Sequence, residues 1–249
     1  MFNSTRDTCA YALVDGDTAY LLDAGSGIKR LLEPPFNTLL NGVKRVFVFL
    51  THYHLDHVIG LSFFIAVFPN KEVTFLLPPA DVAGVSGEQF MASYFGSYLF
   101  PVKVESLPFQ TQARELPVGE HRVGDLTVRV KRQTHTPFSM GLRFDDILSY
   151  HTDCKYDEDH AVFSAGVKTV LMGTWVHDEE VGHPPDYSFR GHTTVQGVKR
   201  LAARMTPPRL LMIHHHPLYS IEKLKAGEAI VRAKCPGAQL ALDGSVFTL

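Results

Sequence analysis

Cysteine is scarce in this chain: Cys9, Cys154 and Cys235 are the three among 249 residues. They are too few and too widely spaced for a disulfide framework, and their odd number suits a reducing compartment. An excess of either charge is also missing, since 24 Lys and Arg stand against 26 Asp and Glu for a formal net charge of −2. Proteins that grip a folded nucleic acid need a cationic footprint. Lys29, Arg30, Lys44 and Arg45 instead read as an ordinary solvated face, so extensive nucleic-acid binding is not expected. No apolar run is long enough to span a bilayer, residues 1–7 carry no hydrophobic signal core, and no Ser/Gly linker, repeat or low-complexity tract divides the chain. With 45% hydrophobic content, the expectation is one globular, cytoplasmic domain over residues 1–249, away from membranes.

Histidine, by contrast, is abundant and clustered. The stretch Thr51-His52-Tyr53-His54-Leu55-Asp56-His57 follows the apolar run at 46–50 and places four metal-competent side chains within six residues. Alternation along an extended segment throws His52 and His54 to one side, while Asp56 and His57 fall where the chain turns into a helix. Imidazoles and a carboxylate suit zinc and other borderline divalent ions. The string therefore reads as half of a two-metal site. Further candidates close strands elsewhere: His135 after residues 128–134, Asp153 after 147–152, and His214 after 209–213, where His214-His215-His216 leaves the register between His214 and His215 open.

Strand-like segments are expected at 9–14, 18–23, 46–51, 73–77, 102–107, 126–134, 141–144, 167–172, 209–213, 239–242 and 246–248, with a hairpin at Asp15-Gly16-Asp17. Helical patterns occupy 28–33, 58–68, 88–99, 195–205 and 221–234. The aromatics Phe90, Tyr94, Phe95, Tyr98 and Phe100 read as core, with Tyr94 and Tyr98 partly exposed.

The H-x-H-x-D-H string, with Leu21-Leu22-Asp23-Ala24-Gly25-Ser26-Gly27 upstream, resembles the metallo-β-lactamase-fold superfamily of metal-dependent hydrolases over nearly the whole chain. That resemblance implies an α/β fold, the four-layer αββα sandwich, and two divalent metal ions, zinc first with manganese or iron as alternatives. By the family's division of labour His52, His54 and His135 would hold one ion and Asp56, His57 and His214 the other. Asp153 would bridge them, and Asp23 would orient the imidazoles. Cys154, next to Asp153, reads as packing or as a neighbour of the metal ligands, and not as a ligand itself.

Gly191-His192-Thr193-Thr194, ahead of an amphipathic segment, is similar to the signature of the ribonuclease Z and cyclic-phosphodiesterase branches. It implies phosphodiester hydrolysis by metal-bound hydroxide, with Asp56 and His192 catalytic and Thr193 or Thr194 capping the helix, whose N-terminus would favour a phosphate near His192. One departure counts against tRNA processing: Met172 and Gly173 stand where ribonuclease Z carries the His-Glu pair that supports the catalytic His. A small phosphodiester is the expected substrate and a homodimer is among the expected assemblies. Hydrolysis of a carboxylic ester, thioester or lactone on the same metals stays open, as do iron-dependent redox chemistry and a non-catalytic metal site. His177, Asp178, His183 and Tyr187 precede the His192 motif without an assigned role.

Overall fold

The computed structural model describes residues 7–178 and 191–248, which form two compact units dividing after Pro117. Each unit carries one β-sheet with its own helices.

The first unit begins with β1 (Tyr11–Asp15) and β2 (Thr18–Leu22), joined by the expected tight turn, with Asp15 paired to Thr18. Gly16 sits at φ +56°, a conformation a two-residue hairpin needs. β3 (Arg45–Phe49), β4 (Glu72–Leu77) and β5 (Gln110–Glu115) follow in parallel, giving the order β1-β2-β3-β4-β5. Every residue of β2 is buried. Phe64 and Phe75 are wholly buried and stack at 5.8 Å, each contributing about 1.5–3 kcal/mol by leaving water.

The stretch expected as one helix over 58–68 is broken into α1 (Leu55–Val58), a 3-10 turn (Ile59–Phe63) and α2 (Phe64–Val67). The cause is at Gly60, whose N–H donates to the Ala24 carbonyl at 2.7 Å instead of continuing a regular helix. Of the helix expected at 28–33, residues 28–32 fall in a 3-10 helix (Ser26–Leu32) and Glu33 is its extended cap. The strand expected at 102–107 is a loop with a 3-10 turn (Val104–Ser106), and the true edge strand is β5. After α3 (Ala80–Ala83), α4 (Gly87–Tyr94) is closed by a capping box between Ser86 and Gln89. Phe90, Tyr94 and Phe95 are core; Tyr94 is buried against expectation, whereas Tyr98 is fully exposed.

The second unit holds seven strands in the order β12-β11-β10-β9-β8-β7-β6: β6 (Gly119–Val123), β7 (Leu126–Thr134), β8 (Phe138–Phe144), β9 (Leu148–His151), β10 (Thr169–Gly173), β11 (Arg209–Ile213) and β12 (Ala238–Leu240). β6 to β9 are antiparallel and β9 to β12 parallel. The helices α5 (Asp159–Phe163), α6 (Val195–Met205) and α7 (Ile221–Arg232) complete the unit, with Val198, Leu201 and Ala202 of α6 in a core shared with Met172 of β10 and Met212 of β11. Residues 246–248, expected as a strand, are irregular. Among the described residues no helix is long and apolar enough to cross a membrane.

Candidate metal centre

In the first unit, β2 and β3 are parallel with Leu22 opposite Phe49, so their C-terminal ends deliver Asp23 and Thr51 to the same place. Asp23 adopts a left-handed backbone, φ 59°, the kind of cost that persists where surrounding structure demands it. Its carboxylate is wholly buried and accepts from the Thr51 amide at 2.7 Å and the Thr51 hydroxyl at 3.0 Å. Its other oxygen lies 2.9 Å from His57 Nδ1. A carboxylate only accepts, so His57 carries its proton on Nδ1 and presents a lone pair at Nε2. The Thr51 hydroxyl directs its hydrogen to Asp23, so its oxygen accepts from His52 Nδ1 at 3.0 Å. The lone pair of His52 Nε2 is thereby turned toward His54 Nδ1, 3.0 Å away. One carboxylate fixes the tautomers of two imidazoles.

Close backbone packing holds this loop. Ala24 N donates to His57 O at 2.8 Å, and Gly25 N to Cys9 O at 2.7 Å. A Cβ on Gly60 would collide with the Gly25 carbonyl, and one on Gly25 with the Asp56 carbonyl.

In the second unit, β9, β10 and β11 are parallel, and β7 runs the same way because β8 is antiparallel to both β7 and β9. The C-terminal ends of these strands supply His135, Asp153, Trp175 and His214. Asp153 is 3% exposed; its Oδ1 lies 2.9 Å from His214 Nε2, and its Oδ2 lies 3.3 Å from His135 Nε2 and 4.0 Å from His192 Nδ1. His214 also adopts a left-handed backbone, φ 50°. Within this unit His214 meets Asp153, while His215 Nδ1 donates to the Thr174 carbonyl at 3.2 Å.

His135 Nδ1 donates to the Gly191 carbonyl at 2.9 Å, so its Nε2 also presents a lone pair. Gly191, at φ +94°, leaves the room this requires, since a Cβ there would overlap the His135 ring. The consequence is the same in both units. The His135 Nε2 lone pair faces an Asp153 oxygen, and the His57 Nε2 lone pair faces an Asp56 oxygen, each at 3.3 Å. Two acceptors at that distance repel unless a proton or a cation lies with them, so the donor set fits divalent ions.

Behind Asp153 lies a buried polar chain that the sequence reading missed. The Asp153 carbonyl accepts from Ser139 Oγ at 2.6 Å, and Gln133 Nε2 donates to Ser139 at 3.2 Å. Gln133 Oε1 in turn accepts from His151 Nδ1 at 2.6 Å, and Ser164, itself receiving the Ser149 hydroxyl hydrogen at 2.8 Å, donates to His151 Nε2 at 2.8 Å. Burial, with His160 and Lys131 nearby, pushes the His151 pKa well below 6.5, consistent with a neutral ring using both nitrogens in this way.

His192 is 14% exposed at the side chain and packs edge-on against His135, with centroids 5.1 Å apart. Thr194 caps α6, accepting from the Gly197 amide at 3.1 Å, while Thr193 ties back to the Cys154 carbonyl at 2.6 Å. The expectation of a phosphate at the α6 N-terminus meets a competitor there: Asp178 accepts from the Gln196 amide at 2.9 Å and from Thr194 Oγ1 at 2.7 Å. His177 donates from Nε2 to the Lys223 carbonyl at 3.2 Å, a packing contact with α7. His183 and Tyr187 lie outside the described residues. Cys9, Cys154 and Cys235 are buried and form no disulfide among the described residues. Thr51 and Trp175 were also missed as site residues; the adjacency of Thr51 to His52 was the available signal for the first.

The model of the beta-lactamase superfamily domain matches residues 18–215. A search of curated proteins gives no match. Among solved structures, the metallo-beta-lactamase fold protein YhfI from Bacillus subtilis is similar at TM-score 0.69 and 20% identity, covering 97% of this chain and 92% of that one. A diphosphatase of the PhnP family gives TM-score 0.64 and 17% identity over 96% and 84% of the two chains. The short form of human tRNase Z gives 0.65 and 15% over 86% and 88%. At these identities the structural likeness speaks for the fold. The α/β class with two sheets is as expected, and the chain belongs to the β-lactamase superfamily, the family of metal-dependent hydrolases that its histidine motif resembles.

Proposed function

We propose that the chain acts as one hydrolase domain, a binuclear metal-dependent phosphodiesterase acting on a small nucleotide or nucleic-acid phosphodiester. The observation that carries this reading is the pair of facing acceptors, His57 with Asp56 and His135 with Asp153, each at 3.3 Å. Following the family's division of labour, His52, His54 and His135 would hold one ion, Asp56, His57 and His214 the other, and Asp153 would serve both. Two oxygens on one carboxylate, each directed at a different imidazole, support that bridging role. When bound, two divalent ions, zinc by preference for this ligand set, activate water and polarise the phosphoryl oxygen.

The residues of the chain divide the remaining work. Asp23 keeps His52 and His57 in the ligating tautomer. The Asp56 side chain is 40% exposed and would accept a proton of the attacking water. His192 would donate a proton to the leaving oxygen as the P–O bond breaks. The likeness to a PhnP-family diphosphatase and to tRNase Z supports phosphoester chemistry. The net charge of −2 and the absence of the His-Glu pair at Met172 and Gly173 favour a small substrate over tRNA.

The test compares bis(p-nitrophenyl) phosphate with p-nitrophenyl acetate, for wild type and Asp56→Ala. Phosphodiester turnover that depends on Asp56 is the expected result. Turnover of the acetate alone would move the assignment to ester, thioester or lactone hydrolysis on the same site.

A further inference from the structure

Strand β10, the counterpart of the strand on which ribonuclease Z carries its supporting His-Glu pair, is followed here by Thr174-Trp175. Trp175 is the one tryptophan of the chain. Its indole stacks on His192 at a centroid distance of 4.5 Å and 16° between planes, and on His214 at 4.8 Å and 27°. The two imidazoles are themselves nearly parallel, 12°, with centroids 5.5 Å apart. Rings on opposite faces of an indole would be separated by about the sum of the two stacking distances, so 5.5 Å puts both imidazoles side by side on the same face.

The backbone fixes the platform in turn. Trp175 N donates to the Thr193 carbonyl at 3.0 Å, next to His192, and the Trp175 carbonyl accepts from His216 N at 3.3 Å, two residues after His214. Trp175 is therefore tied to both histidine segments through its main chain and to both rings through its side chain. The indole N–H is buried and has no hydrogen-bond partner among the described residues.

We infer that Trp175 is a positioning residue: its indole face sets the planes of His192 and His214 together, in place of a hydrogen-bonded relay. This rests on the reading of His214 as a metal ligand and His192 as the leaving-group acid. Imidazole orientation matters because a ligating or donating nitrogen acts along its ring plane, and groups that orient metal ligands change affinity or activity by about 10–100-fold when removed.

The experiment uses Trp175→Phe and Trp175→Ala with three readouts. Zinc binding to the metal-free proteins is measured by competition with a chelating dye, emission of Trp175 is followed during zinc addition to wild type, and kcat and KM are determined on bis(p-nitrophenyl) phosphate. The expected results are an emission change that saturates with zinc occupancy, and a loss in Trp175→Ala of about 10–100-fold in zinc affinity or kcat with KM unchanged. Trp175→Phe should recover most of that loss and keep the wild-type melting temperature. A purely structural residue would lower the melting temperature without changing kcat per folded molecule. Emission blind to bound zinc, wild-type affinity and rate in Trp175→Ala, or equal impairment of both variants would overturn the inference. Should wild type turn over no phosphodiester, the functional reading fails alone, because emission and zinc affinity still report on the platform.

Discussion

The two units organise their metal-competent residues in opposite ways. In the first, the ligand candidates come from one continuous stretch, and a single buried carboxylate outside it, Asp23, orients two of them through Thr51 and His57. In the second, His135, Asp153, His192 and His214 come from separate segments, and the carboxylate stands among the imidazoles instead of behind them. Support there is distributed over Ser139, Gln133, His151 and Ser164 below Asp153, and over the Trp175 ring beside His192 and His214. A contiguous motif needs one good orienting group, whereas a dispersed set needs the sheet itself, with parallel strand ends held in register.

The comparison breaks most sharply at the carboxylates. Asp153→Ala should cost about 10³-fold in phosphodiester turnover, several kcal/mol of lost charge stabilisation, with metal content reduced. Steady-state kinetics with elemental analysis measures both, and an unchanged rate would remove Asp153 from the site. Next in size, Asp23→Asn should lower zinc affinity by about 10–100-fold, since its amide can no longer accept from both Thr51 and His57. Dye competition reads this directly. Gln133→Leu, one member of a distributed chain two hydrogen bonds from the Asp153 carbonyl, should cost less by the same assay. Equal effects would erase the distinction between concentrated and distributed support.

The first unit's motif was legible in sequence because its ligand candidates are neighbours, β7 and α6 because their apolar periodicity is intact, and β11 because it is a continuous apolar run. Legibility failed where packing overrides pattern. β5 reads Gln-Thr-Gln-Ala-Arg-Glu and is largely exposed at a sheet edge, so no alternation announces it, while the apolar residues at 102–107 pack from a loop. The break at Gly60 answers to the Ala24 carbonyl, distant in sequence. Trp175 and His151 carry no motif; they matter through what parallel strands place beside them.

Gly60→Ala sharpens the comparison on the side of stability. The new methyl group meets the Gly25 and Ala24 carbonyls, so unfolding free energy should fall by about 1–3 kcal/mol, read by denaturant titration. The smallest effect is expected from pH in the second unit. Burial opposes charge on His160, but the Cys154 sulfur and the Asp157 carboxylate outweigh it and raise its pKa to about 9. Burial likewise opposes charge on Asp157, yet the hydrogen bond and charge of His160, with Lys131, hold it at about 2. Stability from the raised histidine is complete below 6.5 and is lost as pH rises through 9; that from the lowered aspartate is present above 3.8 and is lost as pH falls through 2. Asp157 is 41% exposed, so solvent screens the pair, and the melting temperature should fall by only about 2 °C between pH 6.5 and 9.5, less in Asp157→Asn.

The central claim is that two acceptor-facing clusters hold two divalent ions, and metal analysis of the purified protein by mass spectrometry, with anomalous diffraction at the zinc edge, tests it most directly. The account predicts two ions per chain, with Asp153 ligating both and His57 and His135 on different ions. A protein that takes up no metal from a zinc-supplemented preparation, or holds it without Asp153, would contradict it.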